Sequence, residues 1–241
     1  LEGVTVFLDG KENTVSTTTD AEGFFKLEPV PGGEFFVHVY GRTAVGSDYP
    51  NGDYYATVGK SWTSVPGRDD TLAGGTGKIY LPLIDGNSLK EVSETKDTEI
   101  SFPSETIEKY PELDGVSITV PAGSLFDEDG TRGGMVGIAP VAPDRLPEPL
   151  PEGLDFPLVI TVQTNDRENF DIPVPVKFPN LPDPVTGDIL PPGAKTALWS
   201  FNHDSGHWEI QGSMTISADG RYAVSDPGVG SARICLLTGV R

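Results

Sequence analysis

Short runs in which apolar residues recur at every second position, each ended by glycine or proline, are the feature that most constrains the fold of this chain. In the stretch GVTVFLDG, residues Val4, Val6 and Leu8 recur with this spacing, and residues 116–120 (VSITV) repeat the pattern before PAG ends the run. A period of two is typical of a half-buried β-strand. With 29 glycines and 22 prolines among 241 residues, helices are interrupted throughout, so the sequence predicts short strands joined by many turns.

We therefore predict an all-β chain made of two β-sandwich domains with Greek-key or prealbumin-like topology and little helix. Two domains suit the length, since a domain usually holds about 100 to 200 residues. The predicted boundaries are 1–90 for the first sandwich, 91–112 for a polar connector and 113–241 for the second sandwich. Within the connector, residues 104–109 form a candidate short helix with Ser104 as its N-cap.

Charge and cysteine content exclude several classes of partner and site. The formal net charge is -19, from 36 acidic and 17 basic residues, so a nucleic acid would meet a repulsive surface. No apolar run approaches the roughly 18 residues of a membrane helix, and we expect no membrane insertion. The single cysteine, Cys235, excludes an internal disulfide framework and thiolate zinc clusters.

The N-terminal segment TTTDAEGFFKLEPVPGGEFFVHV carries the first recognisable pattern. Asp20 and Gly23 fit a tight turn, and Phe25 and Leu27 alternate towards a core. The segment resembles the repeat shared by transthyretin-like, carboxypeptidase-regulatory-like and collagen-adhesin B-type domains, in which T-D-x-x-G-x-F precedes a strand, a P-G turn and another strand. Over residues 1–45 this resemblance implies a β-sandwich but no particular activity.

An ordered set of motifs over residues 113–226 carries a second resemblance. These motifs are VSITVPAGSL, PLVITVQTN, FDIPVPVKFPNL and ALWSFNHDSGHWEIQG. Together they resemble the β-sandwich shared by ankyrins and netrin receptors, which also recurs in bacterial surface proteins. The order of the two resembled domains is similar to that of long, modular extracellular bacterial proteins. The resemblance implies an extracellular or cell-surface location, and we expect this chain to be a segment of a longer one.

The stretch WSFNHDSGHWEIQG is predicted to be a β-hairpin with HDSG as its turn. Alternation sends four apolar side chains to one face: Trp199, Phe201, Trp208 and Ile210. His203 and His207 could instead hold a metal ion, with Asp204 or Glu209 as a third ligand. We favour the turn, because two strands and a turn already account for every residue.

Residues 42–78 are rich in glycine, serine, threonine and aspartate and contain four aromatic residues, Tyr49, Tyr54, Tyr55 and Trp62. Exposed tyrosine and tryptophan side chains on a loop suit stacking on sugar rings. Buried ones would close the edge of the first sandwich. We favour the core interpretation, since large aromatic side chains dominate core burial.

The stretch LFDEDGTRGG offers a candidate calcium loop formed by Asp127, Glu128 and Asp129. It lacks the spacing and the bidentate glutamate of an EF-hand, and calcium requires about six to eight oxygen ligands. We therefore favour a solvated turn and keep calcium as the alternative cofactor.

Catalytic signatures are missing from the sequence: it has no G-x-S-x-G elbow, phosphate-binding loop, C-x-x-C pair or nucleotide fingerprint. We predict a non-enzymatic structural or adhesive module pair of a large secreted or surface-anchored bacterial protein, with no cofactor. Its expected partners are the neighbouring domains of the parent chain, and an extracellular polysaccharide or protein. Two alternatives stay open: a carbohydrate-binding module that uses the aromatic residues of the 49–62 loop, and a metal-dependent enzyme around His203 and His207.

Overall fold

The computed structural model confirms the all-β prediction: strands joined by turns dominate, and helix is scarce. The described residues are 1–46, 52–71, 77–127, 129–142, 145–146, 150, 158–164, 169–202, 207–233 and 236–240. Within them the α-helix α1 spans Ser104–Lys109, where the sequence predicts it. Ser104 is its first helical residue, and the N-cap position belongs to Pro103. No described helix is long and apolar enough to cross a membrane.

The N-terminal part is built on a four-stranded antiparallel sheet. Its strands and the short pair beside it are β1 (Thr5–Leu8), β2 (Ser16–Thr18), β3 (Gly33–Tyr40), β4 (Tyr54–Tyr55), β5 (Thr57–Ser64) and β6 (Leu83–Ile84). The sheet order is β2-β1-β3-β5, and β4 pairs with β6. Val6, Val37 and Val39 form the centre of the core on one face, and Phe25 and Leu27 pack against it as predicted.

The turn at Asp20 and Gly23 forms where the sequence predicts it. The Asp20 carbonyl accepts a hydrogen bond from the Gly23 amide at 2.9 Å, and Gly23 has a φ of 86°, so the predicted turn is confirmed. Within the apolar run KIYLPLI, residues 78–84, only Leu83 and Ile84 form a strand, β6. Pro82 just before it has no N–H to offer a strand partner.

The larger part of the molecule is a ten-stranded sheet of order β7-β11-β12-β19-β15-β16-β17-β14-β9-β8. Its strands are antiparallel to their neighbours, and residues 93–97 join β7 to β8, so the two end strands lie together and the sheet nearly closes into a barrel. The polar segment 91–112 thus contributes to this sheet. The strands from β7 onward are β7 (Lys90–Val92), β8 (Thr98–Ser101), β9 (Ser117–Val120), β10 (Leu125–Phe126), β11 (Gly134–Val141), β12 (Val159–Thr164), β13 (Asn169–Val174), β14 (Val176–Pro179), β15 (Lys195–Asn202), β16 (His207–Ile216), β17 (Tyr222–Ser225), β18 (Ser231–Arg233) and β19 (Leu236–Val240).

A three-stranded sheet of order β10-β13-β18 adds to the same core. Leu125, Phe170 and Val174 of this small sheet pack with the side chains that fill the barrel. The stretch FDIPVPVKFPNL, quoted above as one strand motif, divides at Pro175 into β13 and β14, which belong to different sheets. Proline lacks the amide hydrogen that an uninterrupted ladder needs.

Both faces of strand β12 are covered, so its polar residues Thr161, Gln163 and Thr164 are buried together with its apolar ones. All six residues of β12 are buried. Ile160 and Val162 belong to the large core, whereas Val159 on the opposite face belongs to a second cluster with Phe201 and Trp208.

The paired strands predicted in WSFNHDSGHWEIQG are confirmed as β15 and β16, with Phe201 opposite Trp208 and Trp199 opposite Ile210. The turn predicted at HDSG, residues 203–206, lies outside the described residues. A register shift lies between Leu198 and Trp199. Trp199 packs against the cluster of Phe201 and Trp208, but Ile210 at the edge of this face is 59% exposed. The face assignment of Ile210 therefore holds, although its side chain is exposed.

Candidate functional site

Apolar side chains join the N-terminal part to the ten-stranded sheet. Tyr54 of β4, Ala56 just after it and Ile84 of β6 pack against Ala139 of β11. Tyr54 is 6% exposed, and Ala56 and Ile84 are fully buried, so water is excluded from this contact. We call Arg42, Tyr54, Ala56, Ile84, Ala139 and Thr164 the inter-sheet interface.

Polar contacts at the edge of the inter-sheet interface converge on one backbone carbonyl. Arg42 Nη2 donates to the carbonyl oxygen of Thr164 at 2.8 Å, and the Tyr54 hydroxyl donates to the same oxygen at 3.2 Å. The Arg42 guanidinium also lies 3.8 Å from the centre of the Tyr54 ring. A cation over an aromatic face contributes about 0.5 to 2 kcal/mol, depending on how well it is desolvated. These contacts fix the last residue of β12 to the turn after β3.

Two glycines leave room for close packing at the inter-sheet interface, Gly41 beside a neighbouring backbone and Gly137 beside the Leu89 side chain. Gly41 begins the 3-10 turn Gly41–Thr43 that carries Arg42, and a Cβ there would clash with the backbone oxygens of Tyr55 and Ala56. On the other side, a Cβ at Gly137 of β11 would lie 2.8 Å from Leu89 Cδ2. Any larger residue at Gly41 has to move backbone atoms, so glycine there helps to set the position of the Arg42 guanidinium.

The aromatic residues considered for polysaccharide binding do not form one exposed platform among the described residues. Tyr49 lies outside the described residues. Tyr54 is buried in the inter-sheet interface, while Tyr55 and Trp62 are half-buried and pack against the N-terminal core. Lys60 Nζ lies 4.8 Å from the centre of the Trp62 ring. Tyr54 thus contributes to joining the two parts of the molecule.

The candidate calcium residues lie in a tight turn between β10 and β11. Asp127 Oδ1 and Asp129 Oδ1 both accept a hydrogen bond from the Thr131 amide, at 3.0 and 2.8 Å, and the Asp127 carbonyl accepts from the Gly130 amide. Hydrogen bonding to the Thr131 side chain first, and to the Thr131 amide second, lowers the pKa of Asp129. Glu128 lies outside the described residues. Both described carboxylates therefore take part in the hydrogen bonds of the turn itself.

Of the two histidines considered as metal ligands, His207 is exposed at the start of β16, and His203 lies outside the described residues, as does Asp204. Glu209 Oε2 accepts a hydrogen bond from Asn202 Nδ2 at 3.0 Å across the hairpin. Within the described part of the chain, no group of three or more His, Cys, Asp or Glu side chains is placed to hold a metal ion.

A network of four polar side chains on β15, β16 and the turn after β17 was not predicted from the sequence. Lys195 Nζ donates to Asp226 Oδ2 and to Thr215 Oγ1, each at 2.6 Å. The Ser213 and Thr215 hydroxyls donate to the Asp226 carboxylate. These donors, with Lys195 first, lower the pKa of Asp226 to about 2. We call these four residues the Asp226 network.

Neither the inter-sheet interface nor the Asp226 network has a signal in local spacing. Arg42 and Thr164 are 122 residues apart, and Lys195 and Asp226 are 31 apart. Only the S-D-P-G turn around Asp226 marks one member as a turn residue. No protein-family model, curated protein or solved structure matches the chain, so the two family resemblances drawn from its motifs stay predictions.

Proposed function

We propose that this chain is a non-catalytic structural or adhesive module pair of a larger secreted or surface-anchored bacterial protein, in which it holds neighbouring domains at a fixed spacing. The observation that carries the proposal is the inter-sheet interface. A spacer works only if its parts keep one relative orientation, and this interface is a physical means of doing so.

The composition of the interface supports a rigid connection. Interfaces between domains of one chain are often polar and permit relative motion unless they are apolar and well packed. Here Tyr54, Ala56 and Ile84 are buried against the barrel, and the Arg42 and Tyr54 donors share one acceptor. Apolar burial supplies stability, and the two directional hydrogen bonds to Thr164 oppose sliding.

The net charge bears on the partners in the proposal, and the sequence motifs bear on its location. A formal net charge of -19 favours solubility and repels polyanions. The motif resemblances to bacterial surface modules support an extracellular location. The expected partners are the adjoining domains of the parent chain, with an extracellular polysaccharide or protein as ligand of an adhesive surface.

The experiment is backbone 15N relaxation of the chain, which reports how each part tumbles. In the unsubstituted chain we expect one rotational correlation time for the N-terminal sheet and the ten-stranded sheet. In the double variant Arg42→Met and Tyr54→Phe, which removes both donors to Thr164, we expect the two parts to show separate correlation times or increased microsecond exchange. Arg221→Met is the matched control, because Arg221 stacks on Tyr222 away from the interface.

Independent tumbling of the N-terminal sheet and the ten-stranded sheet in the unsubstituted chain would contradict the spacer proposal. A second readout tests the non-catalytic part: turnover of chromogenic esters and glycosides should equal that of buffer. Turnover that a single substitution within either sheet abolishes would overturn that part, whatever the relaxation data show.

A further inference from the structure

The chain contains two Asp–Pro peptide bonds in described turns, Asp183–Pro184 and Asp226–Pro227. An aspartic acid side chain can attack the carbonyl carbon of its own residue, because this forms a five-membered ring. Proline is the best leaving group for such a reaction, since its nitrogen belongs to a tertiary amide and accepts a proton readily. The position of each carboxyl group therefore decides the reactivity of the bond that follows it.

The two bonds are alike in the state of the carbonyl group. The Asp183 carbonyl oxygen accepts a hydrogen bond from the Gly187 amide at 2.8 Å, and the Asp226 carbonyl oxygen accepts one from the Val229 amide at 2.9 Å. A donated N–H polarises a carbonyl and stabilises the negative charge that develops on its oxygen during attack. This contribution is shared, so it does not distinguish the two bonds.

The carboxyl groups of the two aspartates are held differently. Asp183 Oδ1 accepts hydrogen bonds from the Val185 and Thr186 amides, each at 2.8 Å. Both amides follow the Asp183–Pro184 bond, so the side chain curls back alongside that bond. The Asp226 carboxylate is instead held across β16 by the Asp226 network, where a lysine and two hydroxyls donate to its two oxygens.

The two bonds themselves are equally exposed, since Asp183 and Asp226 are half-buried and Pro184 and Pro227 are exposed, but the residues that follow them differ. All residues from 184 to 189 are exposed, with Val185 at 78% and Ile189 at 57%. In the other turn, Val229 packs against the large core. Water thus reaches both bonds, but the exposed segment after Asp183 gives the ends of a cut chain more room to separate.

We propose that the folded protein cleaves itself at Asp183–Pro184 in acid, and that the Asp226 network protects Asp226–Pro227. In the first step a carboxyl oxygen of Asp183 bonds to the Asp183 carbonyl carbon, the carbon–nitrogen bond to Pro184 breaks, and the carboxyl proton passes to the proline nitrogen. The products are a cyclic anhydride and a new N-terminal proline. Water then opens the anhydride to two carboxyl groups, so no oxidant, reductant or metal is needed.

Asp188 is the second ionisable residue of 181–190. The adjacent turn, which contacts Asn180 through the Arg221 and Gly220 carbonyls, contributes Asp219 and Arg221. The pieces 1–183 and 184–241 should stay associated after cleavage, because the β12–β19 and β14–β17 ladders join them.

The test is intact-mass spectrometry of the chain held at about pH 3.5, within the range where carboxyl groups take up protons, with near-ultraviolet circular dichroism confirming that it stays folded. We expect cleavage after Asp183 at least about tenfold faster than after Asp226, a factor that modest differences in orientation supply. In concentrated urea, which removes the turn geometry, the two rates should become equal.

Two variants separate the roles of the aspartates. Asp183→Asn keeps a side-chain oxygen that can accept hydrogen bonds from the Val185 and Thr186 amides, but it removes the carboxyl group. It should therefore abolish cleavage after residue 183. Lys195→Met should raise cleavage after Asp226 by loosening the Asp226 network. Equal rates at the two bonds in the folded protein, an unchanged preference in urea, or cleavage that survives Asp183→Asn would overturn the proposal.

Discussion

Replacing Trp208 by alanine should remove the centre of the apolar cluster on the outer face of the ten-stranded sheet. Trp208 is 7% exposed, and its ring meets that of Phe201 edge-on, with centroids 5.7 Å apart. Val141 and Val159 complete the cluster. Alanine would leave a cavity lined by side chains of β11, β12 and β15, and the hairpin of β15 and β16 alone has few means of closing it.

The size of the effect follows from the burial of the indole. A buried tryptophan changed to alanine costs about 3 to 5 kcal/mol of the free energy of unfolding. The edge-to-face contact with Phe201 accounts for about 0.5 to 1.5 kcal/mol of that cost. For a chain of this size each kcal/mol lowers the Tm by about 2 to 4 °C, so we expect a decrease of about 6 to 20 °C.

The assay is thermal and urea unfolding of the parent, of Trp208→Ala and of a matched control, Ile210→Ala. Ile210 lies on the same strand but is 59% exposed, so its truncation should change the free energy of unfolding by less than about 0.5 kcal/mol. A Trp208→Ala protein that unfolds at the temperature of the parent, or an equal loss for both variants, would refute the assignment of this cluster to the core.

Three further predictions test other parts of the structure. Lys195 and two hydroxyls hold the pKa of Asp226 at about 2, so the stability that Asp226 contributes is present above the ordinary aspartate pKa of about 3.9 and is lost as the pH falls towards about 2. In urea unfolding, the difference in free energy of unfolding between the unsubstituted chain and Asp226→Asn should narrow over that range. A constant difference would contradict this prediction. Gly59→Ala places a Cβ 2.5 Å from Phe36 Cε1, so we expect the free energy of unfolding to fall by about 1 to 3 kcal/mol. Adding Phe36→Ala to the same chain should restore part of this loss, because it removes the clashing ring. Additive losses in this double-mutant cycle would contradict the clash. The Thr131 amide donates hydrogen bonds to the carboxylates of both Asp127 and Asp129, so adding about 2 mM Ca²⁺ and then excess chelator should leave the Tm unchanged. A lower Tm with chelator would establish a calcium site.

Strand and turn positions could be predicted because they depend on near neighbours in sequence. The turn at Asp20 and Gly23 needs only a side-chain acceptor and a residue that accepts positive φ, and both are visible in TDAEG. The hairpin of β15 and β16 likewise follows from alternation on both sides of HDSG. Pairing that joins strands across a short turn involves little loop entropy and leaves a local pattern.

Ile210 shows where alternation stops being informative. The period of two places Ile210 on the face of Trp199, and the structure agrees, yet the residue is exposed because the cover on that face does not extend to the edge. Alternation states which residues share a face. Burial depends on what packs over that face, and that comes from other parts of the chain.

The sequence by itself determined the all-β class, the short helix at Ser104–Lys109 and the turns, since each depends on backbone preferences within a few residues. Only the tertiary structure decided that residues 91–112 contribute strands to the barrel, that Tyr54 is an interface residue, and that Asp226 is held by Lys195. These contacts join residues tens to more than a hundred positions apart. Their free energy comes from burial and hydrogen bonds that exist only after the sheets have assembled, so no local pattern records them.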